Sequence, residues 1–569
     1  MTHSSSRPPA GNGWLADNGH SNYVIVIPAD AIPAEQHAAA ELRSWLREST
    51  GANFPIVVGT PPADEPAIFL GCGPEAAQLA PLAPEEFVIR RAGQHLVIAG
   101  GRPRGVLYGV YQFLEDAVGC RWYAPQVEKV PRHAALPVPE LDLRAKPALE
   151  YREPFFREAF DPDWAARNRA NSSHAALDAR HGGRVSYGGK SFVHTFDPLV
   201  PVAEHFAEHP EYFSLIDGQR TADHTQLCLT NPEVLRLVID GVRRWIREAP
   251  EATLFSVSQN DWRNPCQCPS CQAIDEREGS HSGTMLWFVN QVAEAIEAEA
   301  PHVAIDTLAY QYTRKPPKTL RPRPNVIVRL CSIECCFAHP LESCPENASF
   351  VADVEGWSQI CNRLYVWDYV TNFLHYVLPW PNLEVLAANV RFYARHHVVG
   401  LFEQGSYSPG GGGEFAELRA YLLARLMWNP EADEKAIVDE YLDGVYGPAA
   451  PFMRDYLALL HEPIKDPEHH LHIFADLDQV YLDDELVRRG DQLLARAEAA
   501  ADSADGRERV RRARLPIQYV ALRRLEDGPE RTRRLEQWVA TARRAGMTDI
   551  GEGRSIDRWL AAGARKPAR

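Results

Sequence analysis

The sequence has no run approaching the roughly 20 apolar residues that a membrane span needs, so no bilayer contact is expected. It begins MTHSSSRPPAGNGWLADNGH, without a basic start leading into an apolar stretch, and the expectation is therefore a cytoplasmic protein with no secretory signal. Acidic residues outnumber basic ones, 76 to 60. A net charge of -16 argues against a general binder of nucleic acid, whose phosphates attract basic surfaces. There is no internal repeat and no long low-complexity run. Neither the Walker spacing nor the dinucleotide fingerprint occurs; the glycine turn at Gly100, Gly101 and Gly105 comes nearest and fits neither, so no organic cofactor is expected. A His-x-His start is missing from the first candidate barrel strand, and His396-His397 falls on a predicted helix. Both facts weigh against a metal-dependent hydrolase.

What is present describes a large globular protein. The 569 residues exceed one core and suggest about three units, and 45% hydrophobic content with 44 prolines fits packed domains with many ordered loops. We expect a flexible start over residues 1–21 and a small α/β domain over residues 22–140, where runs such as YVIVIPAD, AIFLG and HLVIAGG alternate with amphipathic helices. Residues 141–428 carry seven apolar strand candidates, EYREPFF, KSFVHTF, TLFSVSQ, VAIDTLAY, NVIVRLC, RLYVWDY and VVGLFEQ, separated by helical stretches. That alternation predicts a parallel sheet covered on both faces, and seven or eight such units match a (β/α)₈ TIM-like barrel. Residues 429–569 read as helices alone.

Chemistry in such a barrel sits where strands end. Those positions hold Arg157 and Glu158, with Asp161, Trp164 and Asn168 further on; His194; Gln259, Asn260, Asp261 and Trp262; Tyr310 and Tyr312; Glu334; Trp367, Asp368, Tyr369 and Asn372; and Glu403 with Gln404. Carboxylates, amides and aromatic rings in one bowl suit a carbohydrate, whose faces stack on rings and whose hydroxyls need fixed polar partners. Glycoside hydrolysis uses two carboxyl groups, and Asp261, Asp368 and Glu403 are the candidates on separate strands. Arg157, His194, Asn260, Trp262, Tyr310, Trp367, Tyr369 and Asn372 would line the subsite. Plainer readings stand beside these: Asp261 as a turn cap, Asp368 as a structural partner of Arg329, His194 as a core imidazole, Trp367 and Tyr369 as packing.

Seven of the 11 cysteines fall between Cys266 and Cys344. Cys266, Cys268 and Cys271 crowd the segment SVSQNDWRNPCQCPSC, directly after Asp261. In a reducing compartment such a cluster favours structural zinc or buried thiols over disulfides. Zinc needs a fourth ligand, and His281, Cys331, Cys335, Cys336 or Cys344 could supply it.

The segment RGVLYGVYQFLEDAVGCRWYAP resembles the α/β domain that precedes the barrel in β-hexosaminidases and α-glucuronidases. HPEYFSLIDGQR, QLCLTNPEV, SQNDWRNPCQCPSC, IECCFAHPL and VWDYVTNF resemble a bacterial family known only as a domain of unknown function and suspected to be glycosidases; together the likeness covers most of residues 22 to 430. The resemblance implies a glycosidase-like barrel with a helical tail. Where β-hexosaminidases end the fourth strand with Asp-Glu, this chain has Asn260-Asp261, a departure from the N-acetyl-assisted pattern. The resulting expectation is an exo-acting glycosidase in which Glu403 and Asp261 divide the acid and nucleophile or base roles while Asp368 orients substrate or substitutes for one of them. The other reading is a carbohydrate-binding barrel without catalysis. The partner is a carbohydrate substrate; the oligomeric state stays open, a homo-oligomer included.

Overall fold

In a computed structural model of the chain, residues 13–61, 65–74, 76–79 and 81–564 are described. The expected flexible start lies outside the described residues as far as position 12, while Trp14–Asp17 forms a strand paired with Ala135–Pro137. No helix among the described residues is long and apolar enough to cross a membrane. The chain divides into two compact units, one running to Ala148 and including Glu158–Arg184, the other made of Leu149–Arg157 and the chain from Val185 onward.

The first unit is built on a six-stranded mixed sheet in the order Asp142–Ala145, Phe87–Ala92, His95–Gly100, Ala67–Leu70, Val24–Ile27, Ile56–Val58. Its central strands VIVI and AIFL are buried at every residue, as strands covered on both faces must be. Helix Pro33–Thr50 begins with proline, has its Ile32 amide taken up by Glu35 at 3.0 Å, and stops at Gly51 in the left-handed region. The glycine turn is filled by protein: a Cβ on Gly101 would collide with the Ala83 carbonyl, and the Gly105 amide donates to Pro84 O and Gly101 O. Those contacts leave no cradle for phosphate. Asp161, Trp164 and Asn168 are also used within this unit: Asp161 caps helix Pro162–Arg167, Trp164 is buried, and Asn168 donates to the Trp122 and Trp164 carbonyls.

The second unit holds seven parallel strands: β1 (Tyr151–Phe155), β2 (Tyr187–Gly188), β3 (Leu254–Ser256), β4 (Ala304–Ala309), β5 (Val326–Cys331), β6 (Leu364–Tyr369) and β7 (Val398–Gln404). Their order is β1-β7-β6-β5-β4-β3-β2, the cyclic order of a barrel with one seam, between β1 and β2, that no ladder closes among the described residues. The sheet is thus a curled, TIM-like α/β arrangement and not the closed eight-stranded barrel expected. KSFVHTF accounts for much of the difference, because it is not a strand. After two residues of β2 the chain turns at Gly189, where a Cβ would press on the Trp245 ring, and the next residues leave the sheet. Phe192 in this stretch goes inside, its ring 4.6 Å from the Arg329 guanidinium.

Arg329 on β5 fills the centre of the curl. Its guanidinium pairs with Asp306 on β4 at 3.2 Å, both side chains fully buried, and lies within 6 Å of the rings of Tyr151, Tyr187, Phe192, Tyr365 and Phe402. The tail beyond residue 429 is mostly helical, with helices such as Ala450–His461, Asp484–Ala500, Ala504–Arg524 and Pro529–Arg544, but a small hairpin, Asp549–Gly551 with Arg554–Ser555, interrupts it. Asp306→Ala, which strands the Arg329 charge, is expected to destabilise the second unit by ~3–5 kcal/mol. A lowered urea midpoint of that unit's unfolding transition measures the effect, and an unchanged midpoint contradicts it.

Candidate active site

Strand parity decides which predicted residues meet. On β6, Tyr365, Trp367 and Tyr369 share one face; in register with the first two on β7 come Gly400 and Phe402, and Gln404 stands opposite Tyr369. Trp367 packs on Phe402 at 4.7 Å, and Phe402 in turn lies over Arg329, so this is the inner face. Asp368 and Glu403, also register partners, occupy the opposite face. Asp368 accepts hydrogen bonds from Ser332 Oγ, from the Tyr369 amide at 2.9 Å and from Tyr393 Oη at 3.1 Å, the last on covering helix Leu383–Arg395. Glu403 is 1% exposed, and its Oε1 has no hydrogen-bond partner among the described residues. Burial first, and then the neighbouring Asp368, push Glu403 well above the usual carboxylate range. The three candidate acids therefore do not share a hollow. Asp368 and Glu403 stand together behind the sheet, and Asp368 is not the partner of Arg329.

Asp261 lies in the mouth. It follows β3, its side chain is 59% exposed, and Tyr310 Oη at the end of β4 donates to its Oδ1 at 3.0 Å. His194 stands 4.0 Å from the same oxygen. The imidazole is aimed by its own surroundings: Nδ1 donates to the Gln259 carbonyl at 2.8 Å, which turns Nε2 toward Asp261. Burial and the Asp261 charge raise Tyr310, which stays a donor.

Trp367 and Trp262 supply open aromatic surface. The Trp367 indole donates to Gln404 Oε1 at 2.7 Å and stacks on Tyr369, whereas Trp262 is 41% exposed, edge-on to His224. Asn260 is a fastener, buried, with its Oδ1 accepting from the Asp197 amide and its Nδ2 donating to the Thr225 carbonyl. Asn372 is likewise structural, donating to Ala475 O. Arg157 is exposed at the end of β1, its amide donating to Ser406 O. Tyr312 faces His281 edge-on, and Glu334 pairs with Arg263 and Arg314.

One carboxylate here escaped the sequence reading. Glu552, between the strands of the tail hairpin, accepts from Tyr407 Oη at 2.9 Å and from Gln404 Nε2 at 3.4 Å, the same amide that holds Trp367. Burial chiefly, with the Asp261 charge adding to it, raises Glu552 above the ordinary carboxylate range although the Tyr407 hydrogen bond pulls the other way. Nothing in GMTDIGEGRS signals this role, since the residue lies almost 150 positions beyond the last barrel strand.

The cysteine loop gains its fourth member from the same kind of distance. Cys266, Cys268 and Cys271 meet Cys228, all four buried, with sulfurs within 4.8 Å of one another and none in a disulfide. Cys228 was present in QLCLTNPEV but stood outside the expected ligands; His281 instead bonds Asp275 at 2.6 Å. The set could hold one metal ion. Four thiolates carry two negative charges more than a divalent cation offsets, and Arg220 lies 3.6 Å from Cys266 Sγ. The cluster also braces the mouth, because Gln226, two residues before Cys228, donates to the carbonyls of Asn260 and Trp262 on either side of Asp261.

A family model described as Domain of unknown function (DUF4838) matches residues 122–458. No curated protein matches the chain. Among solved structures, a GH138 enzyme targeting pectin rhamnogalacturonan II is similar at 10% identity and a TM-score of 0.47, with 95% of each chain covered. CpGH84B is similar at 9% identity and a TM-score of 0.48, covering 95% of this chain and 96% of that one.

Replacing Cys228 and Cys271 together with serine is expected to remove one equivalent of bound metal per chain, read by elemental analysis after dialysis. Unchanged metal content counts against the four-cysteine site.

Proposed function

The chain belongs to the DUF4838 family, and within it we propose a glycoside hydrolase that works through Asp261 and Glu552. The observation that carries the proposal is the pairing of these carboxylates in one aromatic mouth, one open and bonded to a tyrosine, the other partly buried and raised. Two carboxyl groups in unlike environments are what glycosidic cleavage requires. Glu552, the group whose surroundings favour the protonated form, gives its proton to the leaving oxygen. On Asp261, Tyr310 occupies Oδ1, so that Oδ2 is left to attack the anomeric carbon or to take a proton from water. Trp367 and Trp262 offer rings for a sugar face, while His194 and Gln404 supply polar contacts to hydroxyls. Cleavage from a chain end is part of the proposal. A zinc ion at the four cysteines would hold the Asp261 loop in place without entering the chemistry, since four sulfurs leave it no open position.

The test is a panel of chromogenic glycosides that includes uronic acid and N-acetyl sugars, followed by variants on the best substrate. Glu552→Gln lowers kcat by ~10²-fold or more, as expected for loss of a general acid. It also removes the alkaline limb of the rate profile: an acid with a raised pKa is protonated below that pKa and loses its proton, and the activity with it, as pH rises through the value. Asp261→Asn likewise lowers kcat by ~10²-fold or more. Glu403→Gln, behind the sheet, keeps kcat within a few-fold of the parent. A Glu552→Gln enzyme as fast as the parent, or a protein that binds sugar by calorimetry and releases no product from any member of the panel, overturns the proposal.

A further inference from the structure

A second cluster of metal-ligating side chains lies apart from the four cysteines, where the loop after β5 meets the segment following helix Ala450–His461. Cys336, His339 and Cys344 come from the loop and His470 from the distant segment, with all four ligand atoms within 4.8 Å of one another. We propose that these residues form a structural zinc site of two thiolates and two imidazoles.

The distances are those of a coordination tetrahedron. With Zn–S near 2.3 Å and Zn–N near 2.0–2.1 Å, tetrahedral angles separate a sulfur from a nitrogen ligand by about 3.6 Å. The structure has Cys336 Sγ 3.6 Å from His339 Nδ1 and 3.3 Å from His470 Nδ1, and Cys344 Sγ 3.7 Å from His470 Nδ1. Both rings present Nδ1 to the sulfurs. For His339 the reason is visible: Nε2 donates to the Ile464 carbonyl at 2.9 Å, which fixes the tautomer and leaves the Nδ1 lone pair facing the cluster, the outer support that metal-bound histidines use. The loop is held from outside as well, since the buried Asn347 accepts from the Cys336 amide and donates to its carbonyl. Two thiols lose their protons on binding and two imidazoles bind neutral, so a divalent cation is balanced and no net charge is buried. Glu346 stands beside the cluster, 3.4 Å from His472 Nε2, and its contact with His470 Nδ1 at 3.5 Å gives way to the metal when the site is filled.

The site joins parts that are far apart in sequence. Its ligands flank Phe337, whose amide donates to Leu471 O at 2.9 Å and whose ring meets Tyr369 edge-on. A metal here pins the tail to the wall that carries Trp367 and Tyr369.

The experiment uses the purified full chain, dialysed against metal-free buffer. Elemental analysis of the parent is compared with a Cys344→Ser, His470→Ala double variant, and the loss of one zinc equivalent is expected while the Cys228 cluster keeps its own content. X-ray absorption at the zinc edge of the unmodified parent provides a reading that needs no variant, and imidazole nitrogen in the first shell is the expected result. Full zinc content in the double variant, or a parent whose zinc shell holds sulfur alone, overturns the proposal.

Discussion

One buried cation, Arg329, links the two edge strands of the second unit's sheet. Arg329 has lost all contact with water, and a guanidinium in that state is tolerable only if its charge is met; Nε and Nη2 find oxygen partners, while Nη1 has none among the described residues. Asp306 meets the charge, and Tyr187 Oη accepts from the guanidinium while donating to Asp306 Oδ2. The aromatic faces around it complete the enclosure. The location matters as much as the strength. Tyr151 belongs to β1 and Tyr187 to β2, the two edge strands that no ladder joins, and both rings lie over the same guanidinium. The seam is thus bridged through side chains, by a charge in the middle and rings on either side, in place of backbone hydrogen bonds.

That plug also sets where the interior is open. Below the level of Phe402 and Phe192 the interior is filled; above it the inner face opens into Trp367, Gln404, Tyr310 and Asp261. Which acid enters that space is decided by a single step along a strand. Trp367 and Asp368 are neighbours in the chain, yet one faces the mouth and the other meets Tyr393 on the covering helix. In a strand buried on both faces the hydrophobic pattern carries no alternation from which that step could be read. VWDYV and GLFEQ accordingly mark the ends of strands correctly and are silent about which way their acids point.

The parts of the fold legible in the sequence were those fixed by local patterns. Apolar runs such as NVIVRLC and VVGLFEQ became strands, and the helical stretches between them became helices. KSFVHTF has the same composition and failed, because Gly189 ends the strand early and Phe192 is needed in the interior. Three crowded cysteines likewise pointed to a cluster, but its completing member, Cys228, lies beyond a helix and is tied to the loop only by tertiary contacts such as those from Gln226. Local spacing locates such a knuckle, and only the folded chain says which remote residue closes it.

The delivery of Glu552 shows why the tail is invisible from the barrel's own motifs. Its hairpin docks on backbone carbonyls: the Glu552 amide donates to Phe373 O at 2.8 Å, and the Arg554 guanidinium donates to Leu374 O at 2.7 Å. Gly551 lies so close to the Leu374 carbonyl that any Cβ would collide with it. Contacts of this kind place few demands on side-chain identity beyond one glycine and one arginine, so they leave little trace in the sequence. They nonetheless hold an acid against Tyr407 and Gln404, partly out of water and within reach of the Asp261 charge, surroundings that raise its pKa above the ordinary carboxylate range. A helical appendage that looks like a passive cover therefore furnishes half of the proposed acid-base pair, and the mouth is complete only when the tail is folded onto it.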